Sequence, residues 1–145
     1  MTKITPFLWF DANIEDVVAY YASIFPDTRV LSANPMSASF ELLGQRFNAL
    51  NGGPHFKFNE AVSFFIECAD QAEVDFYWEK LTADGGAESQ CGWLKDRYGL
   101  SWQVIPKRLN ELFSDPDRAK ASRAQQAMLK MKKIIVAELD AAAAG

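Results

Sequence analysis

The side chains most used as nucleophiles and as acid–base groups near neutral pH, cysteine and histidine, are scarce in this sequence. There is one histidine, His55, and there are two cysteines, Cys68 and Cys91. A nucleophilic thiol needs a base to hold it as thiolate, and no spacing sets His55 beside either cysteine. The cysteines lie far apart and lack Cys-x-x-Cys spacing, so they indicate neither a zinc knuckle nor a redox pair. The simpler reading is two reduced thiols in a cytoplasmic protein, one of them buried. Asn51-Gly52-Gly53-Pro54-His55-Phe56 follows an apolar run but has no Lys and no helix start. It reads as a tight turn with His55 exposed or at a cavity rim, and not as a phosphate loop. Trp93, in Cys91-Gly92-Trp93, could stack on a flat ligand or pack in the core. If the protein is an enzyme, its ionisable candidates are Glu67, Lys95, Cys91 and His55. Glu67 is the best general base, provided burial raises its pKa; the alternative is a solvated carboxylate at a strand end.

The elements that must position these residues follow from periodicity. Ile4–Phe10 is an apolar run of β-forming residues, hence a buried strand. Asn13 stands as an N-cap with Asp16 three residues on. Val17, Tyr20, Tyr21 and Ile24 then mark one buried helical face, which Pro26 and Asp27 end. Adding 57 carries Phe7 to Phe64, within a second strand Ala61–Cys68, and Asn13 to Asp70. The same offset carries the helical face to Val74, Tyr77, Trp78 and Leu81. A strand, a cap and a stripe recurring at one offset indicate an internal duplication. Short strands follow each helix: Thr28–Ala33, Ser37–Leu43 and Arg46–Asn51, then Glu88–Trp93, Leu94–Asp96 and Leu100–Ile105. The closing strands align at an offset of 55, Asn48 with Gln103.

The expected fold is α+β: two βαβββ units, 1–52 and 61–106, closing into a cupped mixed sheet as a single domain of 1–145. A helical extension covers 107–145. Its helix starts at Ser114-Asp115-Pro116 and carries the apolar stripe Ala124, Met128, Met131, Ile135 and Leu139. That stripe packs on the body of the domain or on a second subunit, and Ala141–Gly145 frays. At 49% apolar residues the chain is ordered, and no run reaches membrane-spanning length. The N-terminal MTKITPFLWF has no small-residue cleavage site and predicts no secretory signal. A net charge of −4 argues against a general nucleic-acid binder.

The duplicated unit, with the segments Ile4–Phe10, Ala49–Pro54, Cys91–Gln103 and Met128–Lys133, resembles the vicinal oxygen chelate superfamily. That superfamily includes glyoxalase I, extradiol dioxygenases and bleomycin-resistance proteins. Within it the segments look like the PhnB-like branch, often labelled a 3-demethylubiquinone-9 3-methyltransferase domain. One departure is the turn Asn34–Ser37, shorter than is usual there, which would reshape one rim of the cavity.

The resemblance implies metal ligands on the first and last strands of each unit, typically His and Glu. Those positions map to Pro6, Asn48, Ser63 and Gln103, and none is ionisable. Shifting by one residue, to Thr5 or Phe7 for example, brings in no better ligand. No metal and no other cofactor is therefore expected. Alternation then sets Ser101 and Ile105 beside Gln103, Arg46 and Leu50 beside Asn48, Phe65 and Glu67 beside Ser63, and Leu8 and Phe10 beside Pro6. With Trp93, Cys91 and His55, these residues line a mostly apolar small-molecule cavity. The resemblance also implies a homodimer, for which the Met128–Ile135 stripe is suited. The function expected is metal-independent binding or turnover of a neutral or aromatic compound. The alternatives are sequestration of a drug-like ligand and a metal-dependent lyase or dioxygenase. Methyl transfer is disfavoured, because Phe10-Asp11-Ala12-Asn13 lacks the glycines that cradle its cofactor.

Overall fold

The computed structural model describes residues 3–145; the first two residues of the repeat and of the N-terminal segment lie outside them. The chain forms two compact units, Met1–Lys57 and Phe58–Gly145. In the first, β1 (Phe7–Phe10) leads through α1 (Ile14–Ile24) to β2 (Thr28–Ala33), β3 (Ser37–Leu42) and β4 (Gln45–Asn51). The sheet order is β1-β4-β3-β2, with β1 parallel to β4 and the other pairs antiparallel. Asn13 caps α1, its Oδ1 accepting from the N–H of Glu15 at 2.9 Å and of Asp16 at 3.3 Å. Val17, Tyr20, Tyr21 and Ile24 are buried, as their spacing predicts. Tyr21 stacks toward the sheet, its ring 6.4 Å from Phe10 and 6.5 Å from Phe40.

The Asn34–Ser37 turn is tied by one side chain, Asn34 Oδ1 accepting from the N–H of Met36 and Ser37. At the far end of β4, Gly52 lies against Trp9, where any Cβ would fall 2.2 Å from the indole. Trp9 Nε1 donates to the Gly53 carbonyl at 2.9 Å. The Asn51–Phe56 segment is therefore a turn packed on a tryptophan.

The second unit repeats the plan with β5 (Ser63–Cys68), α2 (Gln71–Thr82), β6 (Ala87–Glu88), β7 (Trp93–Lys95) and β8 (Ser101–Pro106), in the order β5-β8-β7-β6. Asp70 caps α2 through the N–H of Glu73, and Val74, Tyr77, Trp78 and Leu81 are buried. Strand register corrects one offset. Phe7 pairs with Asn48 and Phe65 pairs with Gln103. With Asn48 and Gln103 equivalent, Phe7 therefore matches Phe65, and the first strands are offset by 58. The helix caps keep 57, because one residue fewer joins β5 to its helix.

The extension departs from a single striped helix. It forms α3 (Lys107–Phe113), α4 (Arg118–Met128) and α5 (Val136–Ala144), and Asp117 rather than Ser114 caps α4. The chain leaves helical conformation after Met128 because its carbonyls are used elsewhere. Cys91 N–H donates to Met131 O and Gly92 N–H to Lys132 O, both at 2.8 Å. Gln71 binds this Met131–Val136 strap twice, donating to Ile134 O at 3.0 Å and accepting from Val136 N–H at 2.7 Å. Met131, Ile134 and Leu139 are buried with Ile105, Leu109 and Leu112, and Met128 and Ile135 pack against them. The stripe is thus core of its own unit and not a free surface. The last residues do not fray: Ala143 is buried, and Arg123 donates to the carbonyls of Ala142 and Ala143.

Candidate functional site

Each sheet has one face against its helix and one face turned from it. In the second unit, alternation with the observed pairing puts Ser63, Phe65 and Glu67 of β5 on the face away from α2. Ser101, Gln103 and Ile105 of β8 share that face, with Trp93 and Lys95 of β7. The intervening residues Ile66, Cys68, Leu94, Trp102 and Val104 are buried on the α2 side. Burial pushes the Cys68 thiol up to about 12, with Glu73 and Asp70 adding to the rise. It is an inert core thiol.

On the open face Gln103 Nε2 donates to Ser63 Oγ at 2.9 Å. Ser101 is 1% exposed, and its Oγ has no hydrogen-bond partner among the described residues. Leaving a buried hydroxyl unpaired costs about 1–3 kcal/mol. Lys95 pairs with Glu60, which holds the Glu60 carboxyl below the usual range. Strand β8 is set by Asp96, itself 1% exposed. Its Oδ1 accepts from the N–H of Tyr98 and Leu100, and its Oδ2 from Trp102 Nε1 at 2.9 Å. This carboxylate organises the Lys95–Leu100 turn so that Ser101 and Lys95 emerge side by side on one face.

The strap closes one end of this face. Val104 N–H donates to Gly92 O. Gly92, at φ +84°, leaves no room for a Cβ, which would fall 2.6 Å from Ile105 Cδ1 and 3.1 Å from Ile134 Cγ1. Cys91, half-buried at φ +58°, is fixed beside it by its bond to Met131. Trp93 is half-buried on the same face as Gln103, while Glu67 is exposed. His55 is exposed in the Asn51–Phe56 turn of the first unit.

In the first unit, the face away from α1 carries Phe7 and Trp9 beside Asn48 and Leu50, with Arg46 on Ser39 Oγ. Phe10 and Leu8 are not on it. Both are buried toward α1, Phe10 against Tyr21. The expectation that Pro6, Leu8 and Phe10 accompany Asn48 fails by one position, because Asn48 pairs with Phe7 and its N–H takes Pro6 only by the carbonyl. The residue that sequence reasoning missed is Phe7, 62% exposed on the open face as its equivalent Phe65 is at 50%. Glu60, the partner of Lys95, was missed as well, since an ion pair between a turn and a strand leaves no periodic trace.

Corrected for register, the four positions at which the superfamily resemblance implies a metal are Thr5, Asn48, Ser63 and Gln103. They offer only neutral oxygens and amides, and Ser63 and Gln103 are bonded to each other. Divalent cations in protein cages take carboxylate, imidazole or thiolate ligands. Among the described residues no three His, Cys, Asp or Glu side chains converge. The donors do not fit a metal.

The model of the 3-demethylubiquinone-9 3-methyltransferase family matches residues 2–105. The chain belongs to this family. A PhnB protein of Bacillus cereus that bears the same methyltransferase name is 29% identical, covering 72% of this chain and 99% of its own, with a TM-score of 0.66. Protein PA1353 of Pseudomonas aeruginosa, 18% identical, covers 73% of this chain and 98% of its own at a TM-score of 0.59. The fosfomycin resistance protein FosX of Listeria monocytogenes, whose structure holds Mn(II) and sulfate, is 13% identical. It covers 70% of this chain and 87% of its own at a TM-score of 0.53, and so shares the fold. No curated protein matches. The PhnB-like chain has an α+β glyoxalase-like fold, and its helices α3–α5 lie beyond the matched family region.

Proposed function

We propose that the open face of the second sheet binds a small, largely apolar molecule without a divalent metal. The observation that carries this reading is the Ser63–Gln103 hydrogen bond, standing where the superfamily resemblance implies ligands. A neutral pair of this kind orients a ligand but supplies neither the charge nor the basicity that a metal or a proton transfer requires. Phe65 and Trp93 provide the apolar surface around it.

The family's name refers to methyl transfer, but β1 runs to α1 through Asp11-Ala12-Asn13 with no glycine-rich turn. Each sheet also mixes parallel and antiparallel pairs, unlike the doubly wound sheet that holds the methyl donor. These features support binding or another reaction over methyl transfer. We also propose a homodimer, on the superfamily resemblance alone, its interface lying outside the buried side chains of Met131 and Ile134. A cytoplasmic location is proposed on the two unpaired cysteines. Among the described residues no helix is long and apolar enough to cross a membrane.

The test is a pair of titrations on protein purified without added metal. Calorimetry with Mn(II) or Ni(II) should give no stoichiometric binding, and the neutral probe 2-naphthamide should quench tryptophan fluorescence in wild type but less in Trp93→Phe. One tightly bound metal ion per chain, or quenching unchanged in Trp93→Phe, would overturn the reading.

A further inference from the structure

On the reading that this face of the second unit binds a small molecule, we propose that its ligand is an arenecarboxylate. Its carboxylate displaces Glu60 from Lys95. Lys95 is the one cation on β5, β7 and β8. It lies directly across from Ser101, and Ser101 lies directly across from Ser63. All three present donors at neighbouring positions. The Lys95 ammonium carries three N–H groups, and the buried Ser101 hydroxyl has no acceptor among the described residues. Ser63 already accepts from Gln103 and so keeps its own O–H to donate. A site of converging donors calls for an acceptor-rich, negatively charged group.

Glu60 now supplies that charge from outside. It sits in a turn closed by Asn59, whose Oδ1 accepts from Ala61 N–H at 2.9 Å, and its side chain is 62% exposed. Losing Lys95 returns it to water at little cost, since exposed ion pairs contribute little. Glu60 cannot satisfy Ser101, whose Oγ stays unpaired while the Lys95–Glu60 pair is formed. The rest of the face sets the body of the ligand: Phe65 and Trp93 flank Gln103, and Ile105 and the strap close the far end. Glu67, paired with Ile105 about 13 Å along β5 from Ser63, repels an anion there and fixes which end of the ligand faces Lys95.

Calorimetric titration of the full chain with 2-naphthoate and its neutral isostere 2-naphthamide tests this. Naphthoate should bind wild type about tenfold more tightly than naphthamide. Glu60→Gln should tighten naphthoate and leave naphthamide unchanged, and Lys95→Met should erase the preference. Should Lys95→Met not fold, raising NaCl from about 0.05 to 0.5 M must weaken naphthoate alone. Equal affinities in wild type, or weaker naphthoate binding in Glu60→Gln, would overturn the carboxylate assignment while leaving the binding face intact. Binding of neither probe would overturn both.

Discussion

Gly92 and Cys68 show how single positions shape the second unit. At Gly92 a left-handed backbone and an absent Cβ are both required, because Ile105 and Ile134 close over the Cα. Gly92→Ala should cost roughly 2–5 kcal/mol, combining strain at positive φ with overpacking; urea denaturation measures it. Cys68 makes a prediction about pH. Its thiol ionises near about 8.5 when unfolded but only near about 12 when folded. Its contribution to stability is full below the first value and is lost as pH climbs toward the second. Tyr77, also raised by burial, acts in the same direction. Stability should therefore fall as pH rises from about 8.5 toward about 12, and by less in Cys68→Ala. Much of this scale could be read in advance: alternation placed Ser63, Phe65, Ser101 and Gln103 together correctly. It misplaced Phe10, because which residue of β1 pairs with Asn48 depends on parallel register, which no local pattern encodes.

Among the elements, the Met131–Val136 strap has the most consequence. It replaces a neighbouring strand for Cys91 and Gly92 and buries Ile134 fully against Ile105. It thereby backs the three-residue strand that carries Trp93 and Lys95. Ile134→Ala should cost about 2–5 kcal/mol in chemical denaturation. Gln71→Ala should cost about 1–3 kcal/mol, since it unpairs Ile134 O and Val136 N–H together. In the sequence the strap read as the middle of one helix, because Ala124, Met128, Met131, Ile135 and Leu139 keep apolar spacing across it. The apolar pattern correctly marked most of those side chains for burial. The conformation was decided by unpaired amides on the distant Cys91–Gly92 turn, which periodicity cannot report.

For the whole molecule, the duplication gave the architecture of both units from caps, stripes and strands. The same duplication located the positions at which the superfamily resemblance implies metal ligands. The conclusion that they do not fit a metal survives the one-residue shift in register, since Thr5 adds only a neutral hydroxyl where Pro6 has no side-chain donor. What the repeat could not supply was the environment of each position: that Ser63 and Gln103 bond to each other, and that Ser101 is buried beside them. Those are facts of side-chain packing, and the functional reading depends on them. At 16.3 kDa the chain suits two-dimensional 1H–15N spectroscopy during titration with 2-naphthamide. The reading requires the largest shifts at the Gln103 side-chain amide, the Ser101 backbone amide and the Trp93 indole. Shifts confined to α3–α5, with those three signals unmoved, would contradict it.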